Sequence, residues 1–324
     1  MSSNEAFEGG EMSESLEGLD EGRLEAAPPV TEECEGEQEA AHFCGDAEEV
    51  GRQDVTPHGE LSRVATVFGA LRAEGRKGLM PFVCGGQPSV GVTGAVIEAV
   101  DRAGASVIEV GIPFSDPIAD GPVIAAAMHE ALEAGCTPGG VFEAVRQVRE
   151  RVSAALIAMV SVSIVERIGA GVFVERAKES GFDGFIFPDC PLDEAGELSK
   201  RAADAGLTST LLIAPTTTPE RAEKIVAAST GFVYMLARAG ITGERAEAPD
   251  VGGRVARVRE WTDLPIAVGF GISTAQHVAA VVEHADAAIV GSALVRRVSE
   301  AAAGGGDVAG AAGAFVGELA GGMR

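Results

Sequence analysis

The sequence predicts an α/β protein, a single (β/α)8 barrel with extra N- and C-terminal helices, preceded by a disordered acidic N-terminal extension. Three observations carry that prediction. From about Leu61 onward, short apolar runs alternate with longer amphipathic stretches, the pattern of βα units around a parallel sheet. Eight such runs fall within residues 61–324, close to the typical barrel length of about 250 residues. The turn after the first run, Cys84-Gly85-Gly86-Gln87-Pro88, is not G-x-G-x-x-G, which argues against a doubly wound dinucleotide-binding sheet.

The elements follow in order. A helix near 61–73 opens the folded part, with apolar residues three and four apart. The first strand, 79–84, reads Leu-Met-Pro-Phe-Val-Cys and leads to a helix over 90–103. The second strand, 106–111, precedes two helices, 123–134 and 141–152. Strand three (156–161) is followed by helix 171–180, strand four (184–188) by helix 194–205, and strand five (208–214) by helix 219–228. Strand six (231–237) precedes helix 251–260, strand seven (265–269) precedes helix 275–283, and strand eight (287–291) comes before a last helix near 311–319. The strand runs are nearly continuous in apolar residues because both faces of a barrel strand are covered.

Charge separates the extension from the barrel. The 324 residues carry 25 Lys+Arg and 49 Asp+Glu, a formal net charge of -24. Residues 1–60 hold 18 of the acidic residues against two arginines and only ten large apolar residues, too few to offset the entropy of ordering them. That stretch lacks the basic and apolar regions of a signal peptide, and its acidity does not suit a transit peptide. The overall sign argues against nucleic-acid or anionic-membrane partners, and no apolar run reaches the roughly 18 residues that span a bilayer. A soluble, cytoplasmic protein is expected. The five cysteines and five histidines show no paired spacing, so neither disulfides nor a bound metal are expected.

Chemistry in such a barrel belongs at the C-terminal ends of the strands. The second strand ends Val107-Ile108-Glu109-Val110-Gly111 and continues through Asp116 and Asp120 to Pro122. Alternation puts Val107, Glu109 and Gly111 on one face, so Glu109 is expected in the barrel mouth. A carboxylate there is either paired or raised in pKa toward proton transfer, and position alone allows both. Asp116 and Asp120, beside Pro and Gly, read as well as turn or cap residues. Glycine-bearing loops follow the last three strands, at 238–243, 269–273 and 291–293, and their amides could hold a phosphate without lysine or arginine. Lys77, Lys178, Lys200 and Lys224 all fall on helices or their flanks, which leaves no Schiff-base nucleophile. Carbon–carbon bond chemistry would run by carboxylate acid/base catalysis.

Residues 107–122 closely resemble the signature of the tryptophan synthase alpha subunit family. Similarity continues through Met80-Pro81-Phe82, Pro188-Asp189-Cys190-Pro191, Ala214-Pro215-Thr216-Thr217, and residues 238–243, 269–273 and 290–293. The resemblance implies a TIM barrel lyase that cleaves indole-3-glycerol phosphate to indole and glyceraldehyde 3-phosphate by a retro-aldol reaction, with no cofactor. It also implies a pyridoxal-phosphate beta subunit as partner, in an alpha2-beta2 tetramer. By position Glu109 matches the family's general acid/base, Asp120 the carboxylate that binds the indole N–H, and Tyr234 the active-site tyrosine. Phe82, Ile186, Ile213 and Phe270 match the indole pocket. Gly243, Gly271, Gly291 and Ser292 match the phosphate loops, and Thr242 matches the threonine of a lid spanning 238–250. The chain differs from the family pattern at 159–165, where it reads Met-Val-Ser-Val-Ser-Ile-Val in place of a Tyr-Asn-Pro-like stretch, and at Ala125 and Gln87, where glutamine and aspartate are usual. A standalone indole-releasing lyase, a weakly catalytic effector of a beta partner and another phosphate-binding barrel stand as alternatives.

Overall fold

The computed structural model describes residues 61–117, 120–238 and 247–323. The acidic extension, Thr242, Gly243 and most of the expected lid lie outside the described residues. Among the described residues there are nine strands: β1 Gly78–Cys84, β2 Val107–Gly111, β3 Ala155–Met159, β4 Gly184–Ile186, β5 Thr208–Thr210, β6 Leu212–Ile213, β7 Val233–Leu236, β8 Ile266–Gly269 and β9 Ala287–Val290. They form one parallel sheet in the order β5-β4-β3-β2-β1-β9-β8-β7-β6. The two ends of that order, β5 and β6, are separated in sequence by Leu211 alone, so the ring closes into an eight-strand barrel whose fifth strand is broken. At the break, Leu211 donates its N–H to Ser229 Oγ at 3.3 Å rather than to a neighbouring strand.

Alternation sorts the strand side chains into two layers. Leu79, Val83, Ile108, Val110, Leu156, Val233, Met235 and Val290 face outward into a core shared with the surrounding helices. Met80, Val107, Ile157, Ile186, Tyr234, Ala267 and Ile289 face inward and fill the barrel. The helix Arg63–Ala73, capped by Ser62 Oγ accepting from Ala65 N, turns Val64, Phe68 and Leu71 onto the same inner core. It closes one end of the barrel, where Phe68 lies 6.1 Å from Phe232, centroid to centroid. The strands' C-terminal ends are left for the loops.

Two helices depart from the sequence pattern. Ser292–Ala303, not expected from the sequence, follows β9 directly and buries Leu294, Val295 and Val298. Val162–Ile168 was not expected: strand three ends at Met159 rather than 161, and Ser161 Oγ accepts from Ser163 N and starts a helical turn. None of the helices among the described residues is long and apolar enough to cross a membrane.

Candidate active site

Glu109 sits at the middle of β2, in register with Phe82 on β1 and with Ile157 on β3. Because its neighbours Ile108 and Val110 face the helices, its carboxylate is driven into the barrel. There it is fully buried, and neither oxygen has a hydrogen-bond partner. Burial alone pushes its pKa up to about 8. No donor lies in place to offset the desolvation, so the proton itself is what makes the group tolerable.

Phe82, the register partner of Glu109, lines a pocket with roughly 1000 Å³ of free space, part of it open to solvent; Glu109 itself is not in the pocket wall. Phe82, Ile124, Met128, Met159, Leu212, Ile289 and Phe270 make most of its wall apolar, and Asp120 and Tyr234 also line it. Asp120 belongs to a turn in which its N–H bonds Pro117 O at 3.0 Å, directly before the helix Pro122–Glu133. The cap of that helix is Gly121, so the Asp120 side chain is not used as a cap. Burial raises its pKa to about 6, less than for Glu109. Burial also lifts the Tyr234 phenol well above its ordinary range, and the Glu109 and Asp120 charges add to the effect. Tyr234 is therefore within electrostatic reach of both carboxylates.

Two glycines make room for these rings. A Cβ at Gly111 would stand 2.5 Å from Phe82 Cζ, and one at Gly269 would stand 2.8 Å from the Tyr234 hydroxyl. Opposite, Gly271, Gly291 and Ser292 line the pocket. Gly291 caps the helix Ser292–Ala303, and Ser292 Oγ is buried without a hydrogen-bond partner. Amides at a helix start beside an unsatisfied hydroxyl form a cradle for an anion.

The structure thus brings Phe82, Asp120, Tyr234, Phe270, Gly271, Gly291 and Ser292 around one cavity, with Glu109 buried within the same barrel. Ile186 lies in the barrel interior but is not part of the pocket wall. Ile213 points outward: it pairs with the outward Met235 and belongs to the outer core. Its neighbour Leu212, in register with Tyr234, supplies the wall instead. Sequence reasoning passed over Met128, whereas Met159 and Ser161 belong to the 159–165 stretch that departs from the family pattern; Ser161 donates to Asp189 Oδ2 at 2.6 Å on the pocket rim.

Comparison with known proteins identifies the family. The family model for the tryptophan synthase alpha chain matches residues 68–323. The tryptophan synthase alpha chain of Halorhodospira halophila is 45% identical over 242 residues, 74% of this chain and 89% of that one. That of a Synechococcus strain is 44% identical over 262 residues, 80% and 97% of the two chains. Among solved structures, tryptophan synthase subunit alpha of Legionella pneumophila superposes with a TM-score of 0.75 at 33% identity, covering 81% of this chain and 98% of that one. A chain of Mycobacterium tuberculosis tryptophan synthase also gives 0.75, at 35% identity, covering 82% and 99%. With the barrel, the buried carboxylate and the anion cradle in hand, the chain belongs to the tryptophan synthase alpha chain family, the lyase subunits of tryptophan biosynthesis.

Proposed function

We propose that this chain cleaves indole-3-glycerol phosphate to indole and glyceraldehyde 3-phosphate, with Glu109 as the general acid and base. The observation that carries the reading is the contrast between two carboxylates. Neutral pH falls between about 8 for Glu109 and about 6 for Asp120, so one holds a proton while the other is an anion.

Retro-aldol cleavage needs both forms. Glu109 gives its proton to indole C3, which makes the ring nitrogen iminium-like; Asp120 stabilises that N–H as a fixed anion. The Glu109 carboxylate then takes the proton of the glycerol hydroxyl as the carbon–carbon bond breaks, which regenerates indole and leaves the aldehyde. Phe82, Leu212 and Phe270 hold the indole, and Gly271, Gly291 and Ser292 hold the phosphate, with Thr242 and Gly243 assigned to a lid by position only. A beta subunit receiving the indole, in an alpha2-beta2 tetramer in the cytoplasm, completes the reading.

The test is release of glyceraldehyde 3-phosphate from indole-3-glycerol phosphate by wild type and Glu109→Gln, each with and without a cognate beta subunit. Loss of about 10²-fold or more in kcat is expected for the variant. Wild-type turnover in Glu109→Gln would sink the assignment.

A further inference from the structure

Between β8 and the helix Ala275–Val282, the phosphate cradle is built on an unusual backbone. Phe270 and Gly271 hold consecutive positive φ angles of 82° and 83°. A phenylalanine adopts that conformation only when its surroundings hold it there. At the entry side, Gly269 O accepts from Ala237 N at 2.7 Å. At the exit side the anchor is His277, a buried residue in the first turn of the helix, 5% exposed. Its Nδ1 accepts the Ser273 N–H at 3.4 Å, and its own N–H donates to Thr274 Oγ1 at 3.2 Å.

The pocket lining among the described residues contains no lysine or arginine. A phosphate there depends on amides and the Ser292 hydroxyl, whose value lies in their placement, since no long cationic side chain can follow a displaced ligand. We infer that His277 is a positioning residue for the phosphate end of the substrate: by holding Ser273 it fixes the left-handed turn that presents Gly271 and Ile272 to the pocket. This rests on the function proposed above.

Two variants of like polarity test it. Asparagine at 277 sets an amide oxygen where Nδ1 lies, whereas glutamine sets it where Nε2 lies, so only His277→Asn can serve Ser273. KM for indole-3-glycerol phosphate is expected to rise about five- to tenfold in His277→Gln with kcat within about twofold, and both constants are expected to stay within about twofold of wild type in His277→Asn. An unchanged KM in His277→Gln, a fall in kcat as large as the rise in KM, or an asparagine variant no better than the glutamine one would overturn it. If the glutamine variant does not fold, His277→Leu takes its place with the same expectations. The dissociation constant of inorganic phosphate, measured by calorimetry, separates this inference from the function it rests on. A wild type that binds phosphate but does not cleave indole-3-glycerol phosphate overturns the function, and His277 then stands or falls on whether phosphate binding weakens about fivefold or more in the variant.

Discussion

Glu109 and Asp120 are the same functional group in two environments, and their difference predicts a pH profile. On the function proposed above, the free enzyme works with Asp120 ionised and Glu109 protonated. Its kcat/KM should therefore be bell-shaped, falling below about pH 6 as Asp120 gains a proton and above about pH 8 as Glu109 loses its own. A profile flat from pH 5 to 9 would contradict the assignment. The same shift has a cost in stability. Burial raises Glu109 from 4.5 to about 8, so its protonated form costs nothing extra at low pH, and the penalty grows as pH rises between those two values. Each pKa unit is about 1.4 kcal/mol, so Glu109→Gln should melt higher than wild type at about pH 8, by an amount that disappears near about pH 4. Thermal melts at the two pH values check this.

At the scale of elements, the pocket depends on where strands leave out a side chain. Gly111 ends β2 against the face of Phe82, and Gly111→Ala would put its Cβ 2.5 Å from that ring. The ring must swing toward the cavity, at a cost of about 1–3 kcal/mol. A lower Tm together with a raised KM is expected; unchanged KM would show that Phe82 yields in another direction. The other end of the barrel behaves differently. Asp183, just before β4, accepts from Leu156 N at 2.8 Å and from Arg149 Nη1 at 3.1 Å, tying strands and the helix 138–148 together far from the pocket. Asp183→Ala would leave the half-buried Arg149 without its counter-charge. It should lower stability by about 2–4 kcal/mol in chemical denaturation, with kcat and KM held within twofold as a rough bound.

For the whole molecule, the charge of -24 divides unevenly, and residues 1–60 carry 18 of the 49 acids with few apolar residues to fold them. A chain starting at Leu61 should retain the turnover and Tm of the full chain, as the family match beginning at residue 68 also suggests. A loss of activity on truncation would give the extension a role that its composition does not explain.

The sequence by itself determined the barrel, the strand that carries Glu109 and the loops that carry glycine, because periodicity, alternation and turn chemistry are local properties of the chain. The register that sends Leu212 rather than Ile213 to the wall came from the structure, because alternation within one strand does not say which of its faces meets the next strand's inner one. Only the tertiary structure decided that Glu109 has no partner, that Asp120 is less desolvated, and that Ser292 Oγ is unsatisfied. Those facts depend on side chains from distant strands: a carboxylate's pKa and a hydroxyl's partner are set by what the closed barrel places within a few ångströms, and no stretch of sequence contains that distance.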